Sequence, residues 1–243
     1  MNDTVFSNIL AIDTSGPVFS AALETANGNT RELWYFEAGA GTRHSQLVME
    51  IPDMLTKKAG IKPENISLVA CMNGPGSFTG LRIGLSAAKG MALSLSIPFI
   101  AISSFDCMAW PYSVWPGLVL PVIDAKKNSY FCSVYQRGER LTGDMDADSE
   151  AIFRTLNGIV SGQNETAFPP QALLTGPDAG KLYEELYKNN EISFSIAPFC
   201  RSGCARELLA IAKTRKISNN ENSDFNCGPE YIRKSDAEQN FIK

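Results

Sequence analysis

The residues best placed by type and spacing to do chemistry form one glycine-rich stretch, Asn73-Gly74-Pro75-Gly76-Ser77-Phe78-Thr79-Gly80-Leu81-Arg82-Ile83-Gly84. It follows a short apolar run and opens a segment with helical periodicity. Glycines at such a junction let the backbone turn tightly, and a helix start offers unpaired N–H groups to an anion. Gly74, Gly76, Ser77, Thr79 and Gly80 are therefore candidates for a phosphate loop. No Lys-Ser or Lys-Thr pair follows the glycines, so the stretch is not a Walker A loop. The same residues would also make a plain strand-to-helix turn with Ser77 as its N-cap. A second candidate is the turn Asp13-Thr14-Ser15. A carboxylate there could hold a metal–nucleotide complex, with the hydroxyls on phosphate. An ordinary turn closed by side-chain to backbone hydrogen bonds is the alternative.

Metal and nucleophilic chemistry is poorly provided for. The chain has 1 histidine, His44, and Val48 stands four residues on, where a helix would put a second ligand on the same face. Of the 6 cysteines, Cys71, Cys107, Cys132, Cys200, Cys204 and Cys227, none forms a CxxC pair, whereas a zinc site takes about four ligands. No metal is expected, and the thiols read as reduced and structural, as in a cytosolic chain. There is no HExxH and no GxSxG frame around a serine, so no catalytic residue is assigned.

The elements that must position these residues follow from periodicity and turn chemistry. Ile9–Asp13, Val18–Glu24 and Arg31–Phe36 read as strands, with Asn27-Gly28 as a hairpin turn. Arg43–Ala59 has helical spacing. A strand over Ser67–Met72, a helix over Ser77–Leu95 and a strand over Pro98–Ser103 follow. Alternating strands and helices imply parallel pairing with right-handed crossovers. The first half is thus β-β-β-α-β-α-β.

The second half repeats the plan. Ile123-Asp124-Ala125-Lys126 leads into a strand at Tyr130–Tyr135, as Ile12-Asp13-Thr14-Ser15 leads into Val18–Leu23. Leu173–Thr175 runs into Gly176-Pro177 and a helix over Asp178–Tyr187, as Val69–Met72 runs into Gly74-Pro75. The separations are similar, 74 − 13 = 61 and 176 − 124 = 52. Two domains are expected, 1–104 and a smaller, degenerate 105–243, with a linker near Ser104–Trp115, a helix over Ser202–Arg215 and a polar loop near 216–227.

A formal net charge of −4 over 243 residues does not suggest a chain that holds RNA by itself. The longest apolar runs, such as Gly117–Ile123, are far short of the ~20 residues needed to cross a bilayer, and Met1–Asn8 makes a poor signal peptide. A cytoplasmic protein with no membrane partner is expected.

Asp13-Thr14-Ser15, Arg43-His44-Ser45-Gln46, the segment Gly74–Gly84 and Ala88-Lys89-Gly90-Met91-Ala92-Leu93 resemble the TsaB (YeaZ) family, in that order and at family-like spacing. Asp124-Ala125-Lys126-Lys127 resembles the family's Asp-Ala-Arg segment with Lys126 in place of arginine. Pro229, Tyr231, Arg233, Ala237 and Glu238 resemble its C-terminal signature. The resemblance implies an α/β fold of the actin/Hsp70/sugar-kinase-like (ASKHA, ribonuclease H-like) class, with duplicated β-β-β-α-β-α-β domains. It implies a non-catalytic subunit of the bacterial complex that installs N6-threonylcarbamoyladenosine at position 37 of ANN-decoding tRNAs. The implied partners are TsaD, the catalytic homologue, in a heterodimer, and the ATPase TsaE in a larger complex. Without TsaD a homodimer can form, and tRNA is met only through the complex. No cofactor is firmly implied beyond weak ATP or ADP binding at a complex interface. An ASKHA-type small-molecule kinase and an M22-type glycoprotease, the family's former label, are the alternative functions.

A partner is expected on periodicity as well. A helix covering one sheet needs an apolar stripe somewhat over ~100° wide. On Arg43–Ala59, Leu47, Val48, Met49, Ile51, Met54 and Leu55 sweep well over half the wheel. On Ser77–Leu95, Arg82, Ser86 and Lys89 fall within ~60° of each other, and almost everything else is apolar or glycine. The partner-interface candidates are His44, Leu47, Met54, Gly80, Gly84, Ala87 and Ala88. Leu47 and Met54 fall at the edge of the apolar arc, and Ile51 and Leu55 at its centre.

Overall fold

The computed structural model describes residues 6–27, 30–39, 43–162, 170–198, 203–215 and 224–233. The chain divides into two compact units, Met1–Cys107 with Ser202–Glu230, and Met108–Arg201 with Tyr231–Lys243.

In the first unit, β1 (Ile9–Asp13), β2 (Phe19–Asn27) and β3 (Thr30–Ala38) form an antiparallel meander. Its β2–β3 turn pairs Asn27 with Thr30, while Gly28 lies outside the described residues. Helix α1 (His44–Lys58), β4 (Leu68–Gly74), α2 (Phe78–Leu95) and β5 (Phe99–Ser103) follow, with β1, β4 and β5 parallel. The sheet order is β3-β2-β1-β4-β5, the ribonuclease H-like order. Every residue of β1 is buried, so both faces of the sheet must be covered. Helices α1 and α2 cover one face, over Leu10, Ile12, Leu23, Val69 and Phe99.

The other face is covered by α6 (Ala205–Thr214), whose Leu208, Leu209, Ile211 and Ala212 pack on Ile9, Ala11, Ala22 and Ala70. This corrects the second domain expected over 105–243. The α1 and α2 crossovers both lie on one side of the sheet, so the second buried face recruits a helix from late in the chain. Residues 224–230 return to the same unit. Asp224 donates its N–H to Phe99 O at 2.9 Å and accepts one from Ala101 N at 2.8 Å, covering the edge of β5. Glu230 N–H donates to Asn73 O at 2.6 Å. The rest of the expected polar loop, 216–223, Ser202 of the expected helix and Ala237 and Glu238 of the C-terminal signature lie outside the described residues.

The second unit repeats the arrangement. It is built from β6 (Leu118–Lys126), β7 (Ser129–Cys132), the small hairpin β8 (Tyr135–Gln136) and β9 (Glu139–Arg140), β10 (Met145–Ala147), α4 (Ser149–Ser161), β11 (Gln171–Thr175), α5 (Ala179–Leu186) and β12 (Ser193–Ile196). Its main path, β10-β7-β6-β11-β12, matches the first sheet position for position, including two antiparallel and two parallel pairings. The strand expected over Tyr130–Tyr135 is interrupted at Ser133–Val134, where Thr142 bonds to both residues. Where a linker was expected, α3 (Ser104–Ala109) starts directly after β5. Among the described residues no helix is long and apolar enough to cross a membrane.

Candidate functional site

The Gly-rich stretch and the Asp13-Thr14-Ser15 turn are brought together, as packing partners. Thr14 Oγ1 donates to Gly80 O at 2.7 Å, and Ser77 N–H donates to Ser15 O at 2.7 Å. Gly76, Gly80 and Gly84 recur every four residues, so Gly80 and Gly84 stack on one face of α2 below Gly76. A Cβ on Gly76 would run into Ser15 O, one on Gly80 into Thr14 O, and one on Gly84 into Thr14 Oγ1, each inside the 3.0 Å that real Cβ atoms essentially never show. Gly74, at φ 126°, lets Glu230 O approach to 2.6 Å of where its Cβ would be. These glycines are needed because the chain packs against itself there.

Asp13 is equally engaged. Its Oδ1 accepts from Ser15 N at 2.9 Å and Ser15 Oγ at 2.7 Å, and its Oδ2 accepts from Cys204 N at 2.9 Å. Ser20 Oγ accepts the next N–H, from Ala205, at 3.1 Å. Asp13 and Ser20 thus cap the start of α6 from across the sheet. Burial pushes the Asp13 carboxyl above its ordinary range, against the pull of the Cys204 and Ser15 hydrogen bonds. A carboxylate committed to three internal donors is ill fitted to hold a metal–nucleotide complex, and a loop pressed against Thr14 and Ser15 is ill fitted to cradle phosphate.

The motif has an outer half as well. Ser77 caps α2 through Gly80 N at 3.3 Å, and Phe78, Thr79 and Arg82 are exposed, with the Arg82 guanidinium 3.9 Å from the Phe78 ring centroid. Gly80, Gly84 and Ala88, expected at a partner interface, are buried within the unit, and the close approach of Gly80 and Gly84 is to Thr14. Ala87 is half-buried.

On α1, Ile51 and Leu55 are buried, while Leu47 and Met54 are half-buried beside them and Met49 is 57 % exposed. A surface depression of about 480 Å³ lies against Met54, lined also by Glu50, Asp53, Lys57 and Lys58. His44 leans on Phe19 with ring centroids 5.9 Å apart, and its Nε2 is buried without a hydrogen-bond partner among the described residues.

Two structural roles escaped the sequence reading. Lys89 Nζ reaches Phe225 O at 2.9 Å and also Cys227 O, pinning the returning segment to α2. A lone cation in the otherwise apolar, glycine-containing tract 87–93 was the available signal. The Asp13–Cys204 bond spans 191 positions and had no sequence signal.

In the second unit, Asp124 occupies the position equivalent to Asp13, and Gly176, at φ 94°, that of Gly74. Asp124 meets Lys126 Nζ at 3.1 Å and Lys181 Nζ at 3.2 Å. Burial pushes its carboxyl up, but Lys126 and Lys181 outweigh it and hold it below the ordinary range. Five cysteines are described, all free thiols. Burial raises the thiols of Cys71, Cys107 and Cys204, and that of Cys132 to about 12. Among the described residues no group of three His, Cys, Asp or Glu could hold a metal ion.

Comparison with known proteins follows the same lines. A family model described as "TsaD: tRNA N6-adenosine threonylcarbamoyltransferase" matches residues 38–241. The chain is 34% identical over 129 residues to the tRNA threonylcarbamoyladenosine biosynthesis protein TsaB of Bacillus subtilis, covering 53% of this chain and 55% of that protein. It is 36% identical over 135 residues to TsaB of Escherichia coli, covering 54% and 56%. The chain thus spans about half the length of the curated relatives it matches. Its backbone superposes with a TM-score of 0.70 and 22% identity on a Pseudomonas aeruginosa protein described as similar to peptidase YEAZ, covering 93% of this chain and 100% of that one. That likeness shows a common fold.

Proposed function

Because the chain belongs to the TsaB (YeaZ) branch of the tRNA N6-adenosine threonylcarbamoyltransferase family, we propose that it is a non-catalytic subunit of the complex that makes threonylcarbamoyladenosine on tRNA. Its task is to bind and support the catalytic homologue TsaD, which modifies position 37 of ANN-decoding tRNAs. TsaE joins the two in a larger assembly, and the complex is cytoplasmic.

The observation that carries this reading is the state of Asp13. The one acid of the first unit placed for phosphate chemistry is spent on Ser15 and Cys204. The outer side of α1 and α2 carries half-buried Leu47, Met54 and Ala87 beside exposed Phe78 and Arg82. Half-buried apolar residues beside an exposed Phe–Arg pair are the kind of surface that partners cover. A homodimer can use the same surface when TsaD is absent. Nucleotide, where it binds at all, does so weakly and at an interface of the complex. A small-molecule kinase would need the Asp13 carboxylate released, and a metallopeptidase would need ligands beyond His44.

The test is reconstitution. The chain should co-purify with TsaD, and tRNA modification by TsaD and TsaC, with TsaE and ATP, should require it. Equal modification without the chain would refute the role.

A further inference from the structure

A sheet edge presents unpaired N–H and C=O groups, and folded proteins keep it from other chains by shortness, proline, lysine, a bulge or a covering loop. In the second unit the edge strands β9, β10 and β12 are short, with two, three and four residues. In the first unit the segment at Asp224 covers β5, bonding to Phe99 O and Ala101 N. The other edge of that sheet is β3, which has nine residues and neither proline nor lysine. Its register with β2 runs from Asn27↔Thr30 to Phe19↔Ala38 without a bulge. Among the described residues β2 is the only strand that pairs with β3, and Leu33 is 51% exposed on it. Tyr35 packs on the α6 side of the sheet and Trp34 and Phe36 on the α1 and α2 side, so the strand is anchored on both faces.

A strand paired antiparallel with a copy of itself is symmetric about one position. Trp34 is the middle residue of β3, so full overlap of two copies is centred on Trp34. That register sets Arg31 opposite Glu37 on both sides of the centre, Leu33 opposite Tyr35, Glu32 opposite Phe36 and Thr30 opposite Ala38, with no like charges opposed. Residues directly opposite share a face of the sheet, where opposite charges and aromatic pairs favour association. The neighbouring charges sharpen the match. Around Arg31 stand Glu24 and Lys213, two cations to one carboxylate. Around Glu37 stand Glu207 and, over the Tyr35 ring, Arg206, two carboxylates to one cation. Arg31 spends Nη1 on Glu24, and Glu37 accepts at Oε2 from the Tyr35 hydroxyl. A guanidinium has five donors and a carboxylate two oxygens, so both keep capacity for a partner across the edge.

We propose that β3 pairs antiparallel with β3 of a second copy of this chain, joining the two five-stranded sheets edge to edge. One strand pair buries less than the ~1,200 Å² at which standard interfaces begin, so this contact is weak beside one made through α1 and α2. It rests on the chain alone and not on the reading of its partner.

The experiment is sedimentation equilibrium of the full chain from micromolar to millimolar concentration, in the Leu47→Asp/Met54→Lys background that disables α1. The parent should pair weakly at the upper end of that range. Arg31→Glu or Glu37→Arg alone opposes like charges twice and should weaken pairing about ten-fold. In an equimolar mixture of the two variants each new charge meets an opposite one, so pairing should return towards the parent value. A role for either residue within its own chain would not be rescued by mixing. If a variant fails to fold, hydrogen exchange of the wild type decides instead, and the β3 amides should slow as concentration rises. A parent that stays monomeric, reversals without effect, a mixture that does not recover, or β3 exchange independent of concentration would each overturn the proposal. So would β3 amides that become protected only when TsaD is added, since the edge would then belong to that partner.

Discussion

Replacing Gly80 with alanine separates the two readings of the glycine-rich segment. If Gly80 lines an anion cradle, Gly80→Ala should impair ligand binding and leave stability nearly unchanged or improved, since alanine is better than glycine in a helix by about 0.8–1 kcal/mol. The structure argues otherwise. The new Cβ would fall on Thr14 O and lie 3.3 Å from Ser77 Cβ, while Thr14 is held in place by its own bond to Gly80 O. The obstacle is backbone, which cannot swing aside as a flexible side chain would. Overpacking of this kind costs about 1–3 kcal/mol. Subtracting the helix-propensity gain leaves a net loss of up to about 2 kcal/mol. At about 2–4 °C per kcal/mol for a chain of this size, the melting temperature of Gly80→Ala should fall by several degrees. Gly90→Ala is the internal control. It lies on the same helix with nothing within 4 Å of its new Cβ, so it should raise the melting temperature slightly. Circular dichroism melts of the three proteins decide the matter. A Gly80→Ala protein as stable as Gly90→Ala would refute the packing account.

Further outcomes follow from the surface and the charges. Leu47→Asp with Met54→Lys should leave a folded monomer but weaken TsaD binding and self-association by orders of magnitude, because an unpaired charge in an interface costs several kcal/mol; a folded variant that pairs normally would show that α1 is not the interface. Calorimetry should find weak or no ATP or ADP binding to the isolated chain, and low-micromolar binding dependent on Asp13 would revive the kinase reading. Burial pushes the Glu24 carboxyl up, but Lys213 at 2.8 Å and Arg31 at 2.5 Å outweigh it and depress its pKa on folding. The stabilisation is therefore present above the unfolded pKa and lost as pH falls through the lower folded one. Glu24→Gln should cost about 1–2 kcal/mol at pH 7, with the partners' exposure discounted, and match wild type in strong acid. A stability gap independent of pH down to about pH 3 would exclude this ion-pair origin.

Much of the fold was legible because local rules and long-range packing agree. The strand at β1 and the helix at α2 carry unambiguous periodicities, and paired Asp and Gly-Pro landmarks exposed the duplication at 13 and 74, then 124 and 176. The role of the motif was harder to read, because glycines suit a phosphate cradle and a close-packed seam equally. Their four-residue spacing at 76, 80 and 84 was the usable hint, since it aligns them on one helix face. The placement of α6 was beyond sequence reach. Its apolar stripe fits any sheet, and only the demand of a strand buried on both faces assigns it to the first unit.

The two equivalent acids are held in two different ways. Asp13 is buried under the N-terminus of α6, and desolvation favours its neutral form. Asp124 is reached by two exposed lysines that favour its charged form. Catalytic use of a carboxylate requires an oxygen that can exchange its partner for substrate or metal. Asp13 would have to leave an α6 backbone N–H unpaired, and Asp124 would have to break two ion pairs. The motif around Asp13 therefore acts through shape. Its glycines set how deeply α2 sits on Thr14, and that depth fixes where Phe78, Arg82 and the flank of α1 stand on the surface. If α1 and α2 carry the proposed partner surface, substitutions at the seam should weaken TsaD binding in proportion to the displacement of α2.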